Sequence, residues 1–177
     1  MSLLSILLLS CQDKLSVPKG TVLYSSGGED TEQQDAKENV SPSDDFTPIH
    51  TYELEIFDHI NEYRSQMSLS PLELHPLMIE VAREHSMQMA YEDVPFGHDG
   101  FEDRVNSLLE HFSYTTYVAA ENVGQSSGDS APDIAVEMWL DSEGHRENIE
   151  GPYSITGIGA FERDGAVYFT QMFFAFE

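Results

Sequence analysis

Apolar positions in the first half of the folded part of the chain recur at helical spacing. Leu54, Phe57, Ile60 and Arg64 mark one stripe, with Tyr63 and Met67 beside it, and Ser68 to Pro71 breaks the pattern. Met78, Ala82, His85 and Met89 then fall at i, i+4, i+7 and i+11, a stripe interrupted only by an imidazole, and Pro76 suits the first turn of that helix. A third helix begins near Phe101, where Phe101, Val105, Leu108, Leu109 and Phe112 share a face. Ser130-Ala131-Pro132-Asp133 announces a fourth, with a capping Ser, a first-turn Pro and a first-turn carboxylate ahead of Ile134 to Leu140; it should stop at Gly144. The second half changes character. Ile155 to Phe161 and Ala166 to Phe176 are rich in β-branched and aromatic residues, and the Asp-Gly pair in Glu162-Arg163-Asp164-Gly165 signals a hairpin between them. Tyr117 to Val123 reads as a third strand. Helices ahead of strands, without strand–helix alternation, predict an α+β layered domain.

Ahead of these elements the pattern is missing. From Gln12 to about His50 the chain is dominated by Ser, Gly, Asp, Glu, Gln and Pro, as in Ser25-Ser26-Gly27-Gly28 and Ser41-Pro42-Ser43-Asp44-Asp45. Such a stretch buries too little surface to offset its ordering entropy, so 12–50 is predicted to be a flexible acidic linker leading into one folding unit, 51–177. A length of 177 residues with 40% hydrophobic content suits a single core. The segment 1–11 is an apolar run ending at Cys11, and Leu8-Leu9-Ser10-Cys11 resembles the lipobox at which bacterial lipoprotein precursors are cleaved and lipidated. It predicts an exported protein of the bacterial cell envelope or the extracellular space, touching membrane only through a lipid on Cys11. The run is far shorter than the roughly 20 apolar residues that span a bilayer. Cys11 is the only cysteine, which rules out an intramolecular disulfide. With 8 Lys plus Arg against 32 Asp plus Glu, the net charge of −24 argues against nucleic acid as a partner, and a monomer is expected.

Candidate chemistry lies where the backbone pattern pauses. His98 sits in the glycine-flanked loop Phe96-Gly97-His98-Asp99-Gly100, and His145 just past a predicted helix end in Ser142-Glu143-Gly144-His145-Arg146-Glu147-Asn148-Ile149. Glu121 is a charge in the otherwise apolar Ala119-Ala120-Glu121-Asn122-Val123. If the three converge, two neutral imidazoles and a carboxylate are competent for zinc or another divalent ion with room for water, or equally for a metal-free hydrogen-bonded cluster. His85, on its apolar stripe, reads as a buried hydrogen-bonded histidine; Trp139, Met78 and Met89 read as packing residues. Ser86 and Ser142 lack the strand-turn-helix setting of a nucleophilic serine. Arg146 and Asn148 are suited to support the loop that carries His145.

The ordered strings Ile60-Asn61-Glu62-Tyr63-Arg64, Pro71-Leu72, Ala82 to Ala90, Gly97-His98, Ala120-Glu121-Asn122-Val123, Trp139 to Ile149, Gly157-Ile158-Gly159 and Tyr168 to Phe173 together resemble the bacterial branch of the CAP superfamily (cysteine-rich secretory proteins, antigen 5 and pathogenesis-related 1 proteins) over 51–177. The resemblance implies a three-layer α-β-α sandwich around a central antiparallel sheet. It also implies an open cleft of two histidines and acidic residues, whose matching positions here are His98, Glu121 and His145. In many eukaryotic members a second cleft glutamate follows the tryptophan by three residues; here that place is Ser142, and the neighbouring Glu143 lies about 100° further round a helix. The family's disulfides are absent. Two functions follow. The first is a non-catalytic binding module, with Ser142, Glu143, Arg146 and Asn148 around a cleft for a small apolar molecule, lipid, peptide or divalent metal. The alternative is a metal-assisted, peptidase-like hydrolase using Glu121 as general base.

Overall fold

The computed structural model describes residues 15–16, 48–112 and 117–176. Cys11, the apolar run before it and nearly all of the acidic segment lie outside the described residues. In chain order the elements are β1 (Leu15–Ser16), α1 (Pro48–Gln66), β2 (Glu73–Leu74), α2 (Pro76–Tyr91), α3 (Phe101–Leu109), β3 (Tyr117–Ser126), α4 (Ala131–Asp141), α5 (Glu143–Glu150), β4 (Ile155–Arg163) and β5 (Ala166–Phe176). The strands form one sheet in the order β1-β3-β5-β4-β2. Its three long members are antiparallel, with β5 central, whereas β2 runs parallel to β4 for two residues. Pro71 and Pro76 flank β2, and proline, lacking an N–H, keeps that strand short.

Alternation along β5 sorts the core into two layers. Val167, Phe169 and Phe173 pack with Ile56, Ile60, Trp139 and Ile149, so α1, α4 and α5 cover one face. Met172 and Phe174 pack with Met78, Ala82, Val105 and Leu108, so α2 and α3 cover the other. This is the predicted α+β sandwich. The Asp164-Gly165 turn has φ of 54° and 80°, both left-handed, matching the twist that a two-residue hairpin needs.

Helix α2 lies almost on the backbone of β4. A Cβ on Gly157 would stand 2.2 Å from the Met78 carbonyl carbon, and one on Gly159 would stand 2.1 Å from the Arg83 nitrogen. Ser86 Oγ, at 3.0 Å from Gly159 O and 2.9 Å from Thr170 Oγ1, pins the helix to both strands. At the sheet edge, Glu53 of α1 accepts the Ala160 N–H at 3.1 Å and a two-pronged ion pair from Arg83, clipping the two helical layers together around β4.

Two local expectations need correction. Ser130 occupies the position before α4, but its side chain makes no capping bond. The fourth helix stops at Asp141, not Gly144, because Ser142 is extended (φ −89°, ψ 122°), and a separate short helix, α5, follows. Alone, eight mostly polar residues make a marginal helix. Its C-terminal end is held by the buried Arg64 guanidinium, which donates to the carbonyls of Ile149 (2.6 Å) and Gly151 (3.0 Å) while also binding Ser70 O and Tyr153 O.

Candidate functional site

The loop after α2, strand β3 and helix α5 meet where β3 lies outside β5. Two side chains from the α4–α5 layer satisfy carbonyls along β3: Asn148 Nδ2 donates to Glu121 O at 3.2 Å, and Trp139 Nε1 donates to Val123 O at 2.9 Å. Gly124 leaves the room for that indole, since a Cβ there would be 3.1 Å from Trp139 Nε1. Asn148 also donates to Asn122 Oδ1, and Asn122 in turn donates to His145 O at 3.1 Å. Buried amides thus tie the backbone of His145 to the strand that carries Glu121.

Glu121 projects on the α2–α3 side of the sheet with only 1% of its side chain exposed. Its carboxylate is already committed. His98 Nδ1 donates to Oε1 at 3.0 Å, and Arg104 donates to both oxygens, Nε to Oε2 at 2.9 Å and Nη2 to Oε1 at 2.7 Å. Arg104 Nη1 further grips Asp99 O at 2.8 Å, fixing the loop that presents His98. A buried carboxylate demands such a partner, and a two-pronged guanidinium gives both charge and geometry. Arg104 was not among the residues singled out from the sequence.

The loop position of His98 and the strand position of Glu121 are as expected. His145 belongs to the first half of α5 and is not past a helix end. Burial, and secondly the nearby charge of His98, push its pKa down to about 4. Its Nδ1 is buried without a hydrogen-bond partner among the described residues. Ser142 forms the corner between α4 and α5, Glu143 opens α5 on the solvent side, and Arg146 Nη1 caps Leu140 O of α4 at 2.7 Å. Asn148 is a buried structural amide, as described above. His85 is buried, with Nε2 on Gly97 O at 2.9 Å, as read from its stripe.

The half-buried His145 and the buried His85 give a pH dependence of defined sign. His145 stays neutral in the fold down to about pH 4, whereas an unfolded histidine takes its proton near 6.5. The unfolded chain therefore binds more protons between those values. This contribution to stability is complete above pH 6.5 and is lost as pH falls toward 4; His85, also depressed chiefly by burial, acts in the same direction. The urea midpoint should fall through this window, and His145→Gln should fall less steeply. Identical slopes in both proteins would remove His145 from the account.

A zinc site fits this arrangement poorly. Glu121 has both oxygens engaged by Arg104, and among the described residues no group of three His, Cys, Asp or Glu side chains could hold a metal ion. A catalytic zinc ordinarily takes three protein ligands.

A family model for the cysteine-rich secretory protein (CAP) family matches residues 57–173. The uncharacterized Bacillus subtilis protein YkwD is 28% identical over 127 residues, covering 71% of this chain and 48% of its own length. The structure of an extracellular SCP-domain protein of Bacillus anthracis has 28% identity and a TM-score of 0.55, over 70% of this chain and 40% of the other. An outer surface protein of Borrelia burgdorferi shares the fold at 16% identity, with a TM-score of 0.61 over 74% of this chain and 97% of its own. The chain thus spans about half the length of YkwD.

Proposed function

Because the chain belongs to the bacterial branch of the CAP family, we propose that it is an exported, non-catalytic binding module whose His98–Glu121–His145 cleft receives a small molecule, lipid or peptide. The observation that carries this reading is the double engagement of Glu121. A general base must be able to reach a water or a substrate proton. Here the carboxylate is enclosed and hydrogen-bonded by Arg104 and His98, so the cleft has a neutralised ion pair where a hydrolase needs a receptive base. His145, held neutral mainly by burial, adds a polar ring to the site without a charge of its own. Ser142 and Glu143, at the α4–α5 corner, are the rim residues best placed to meet a ligand entering from that side.

Export agrees with the extracellular and surface relatives, and a lipid on Cys11 is the proposed anchor. No helix among the described residues is long and apolar enough to cross a membrane. The decisive test is turnover. Panels of peptides, esters and glycans in zinc-supplemented buffer should give no hydrolysis, whereas a zinc-dependent activity abolished by Glu121→Gln would overturn the reading. In a thermal-shift screen of peptides, fatty acids and zinc, any stabilising ligand should lose its effect in His98→Ala/His145→Ala.

A further inference from the structure

On the α2 side of the sheet the covering layer ends early. Helix α2 stops at Tyr91, where Glu92 turns left-handed (φ 61°), while β4 and β5 run on to the Asp164-Gly165 hairpin. On that face Gly159 lies under the middle of the helix, whereas Phe161, two residues further along β4, meets Tyr91, the last helical residue. Phe161 stands opposite Tyr168 of β5 in the register, so two rings lie side by side. Two more fold toward them: between ring centroids, Tyr91 is 5.5 Å from Phe161 and Phe96 is 6.4 Å from Tyr168. Tyr91 is 51% exposed and Phe96 44%, the strand pair is half-buried, and none of the four rings belongs to either core layer.

Contiguous aromatic surface left outside the core marks an interaction site, and tyrosine, phenylalanine and arginine are the residues such sites favour. The charges around it narrow the partner. Glu92, Asp93, Glu162 and Asp164 stand exposed at its margin. Arg163, the basic residue of the patch, is already engaged, with Nη1 donating to Ala90 O at 2.7 Å and Nε 3.5 Å from Asp164 Oδ2. That arginine also shows what these rings hold, since its Cζ lies over the Tyr91 ring, 4.5 Å from the centroid. A second copy of a chain of net charge −24 is repelled from such a face, as are anionic lipid and nucleic acid.

We propose that this aromatic face docks an arginine-bearing segment of a partner protein, its guanidinium groups stacking on Phe96 and Tyr168 as Arg163 does on Tyr91, with the marginal carboxylates answering their charge. Arginine fits better than lysine because its planar, weakly hydrated head stacks on a ring while its N–H groups still reach carboxylates at the edge. Phe96 and His98 share one loop, so the face adjoins the cleft, but the proposal stands whether that cleft is passive or reactive.

Diffuse attraction of any polycation to so acidic a chain is the competing explanation, and uncharged substitutions separate the two. A capped hexapeptide of alternating Arg and Gly is titrated calorimetrically into the full chain at constant ionic strength, as is its counterpart with citrulline, the neutral isostere, in place of arginine. Both titrations are repeated on Tyr91→Ala/Phe96→Ala and on a control, Leu54→Ala/Met138→Ala, which removes exposed apolar side chains from α1 and α4 on the opposite layer. Every variant keeps the net charge of −24. Saturable binding of the arginine peptide by the wild type and the control, weakened about fivefold or more both in Tyr91→Ala/Phe96→Ala and by citrulline, is the expected result. Absence of saturable binding, or equal binding by all three proteins, would overturn the proposal. So would equal binding of the citrulline peptide, which would make the face a site for neutral chains, and a wild-type dimer in sedimentation that is lost in Tyr91→Ala/Phe96→Ala, which would make it a contact between copies. The citrulline comparison leaves the protein untouched, so it decides even where Tyr91→Ala/Phe96→Ala fails to fold.

Discussion

Gly159→Ala should remove about 3 kcal/mol of stability, at the upper end of what overpacking a core does, and lower Tm by roughly 10 °C. A single methyl group has this effect because of what it meets. The added Cβ would stand 2.1 Å from Arg83 N, 2.2 Å from Ala82 C and 2.6 Å from Ala82 O. These are backbone atoms in the middle of α2, with no rotamer to change. Relief requires the helix to lift from the sheet, and lifting it strains the Ser86 bonds to Gly159 O and Thr170 Oγ1 as well as the packing of Met78 and Ala82 on Met172 and Phe174. Gly165 offers the contrast. It has φ of +80° and open space around it, so it is needed for conformation alone. Gly165→Asn, which tolerates that region, should lose less than about 1 kcal/mol. Thermal melts and urea titrations of the two variants compare space with conformation directly. Equal losses would mean that α2 sits more loosely on β4 than described.

That pair of glycines shows where sequence reading stops. The helical stripes and the Asp-Gly hairpin are legible because their signals are local: period and turn chemistry lie within a dozen residues. Gly157 and Gly159 stand in a strand, which points to a close backbone approach, but only the fold says that α2 is what approaches. Helix α5 escapes for the opposite reason. Its sequence, Glu143 to Glu150, has one large apolar side chain, Ile149, and the helix is held because Arg64, from α1, satisfies carbonyls at its C-terminal end while its own Arg146 reaches back to Leu140 O of α4.

Arg104 is the most instructive omission. On α3 it lies beside the apolar positions Phe101, Val105 and Leu108 and reads as an ordinary solvent-facing charge. Its partner is seventeen residues away, across a chain segment outside the described residues, on another element. A signal was nevertheless present. Glu121 in an apolar strand requires a cation, and the chain from Pro48 onward has only five basic residues, all arginines: Arg64, Arg83, Arg104, Arg146 and Arg163. Each has a fixed structural partner in the fold: carbonyls for Arg64, Arg146 and Arg163, and carboxylates for Arg83 and Arg104. In so acidic a chain, scarcity of cations marks the arginines as structural before any coordinates are known.

The largest single effect is expected from Arg104→Met. It leaves Glu121, with 1% side-chain exposure, without its two-pronged partner. Removing one member of a buried ion pair ordinarily destabilises by about 3–5 kcal/mol, because the other charge stays desolvated. Replacing both members by groups of similar shape is far milder. Arg104→Met/Glu121→Met should therefore be more stable than Arg104→Met alone. Urea midpoints for the wild type, both single variants and the double variant close the cycle, and a coupling energy of about 2 kcal/mol or more is expected between the two sites. If Arg104→Met alone stays within about 0.5 kcal/mol of the wild type, Glu121 is not held as described. The same number bears on function. A carboxylate strongly coupled to a guanidinium must give up that interaction before it can take a proton from water, whereas a weakly coupled one remains available as a base. A strong coupling therefore supports the non-catalytic reading proposed for this site, and a weak one would return Glu121 to the list of reactive groups.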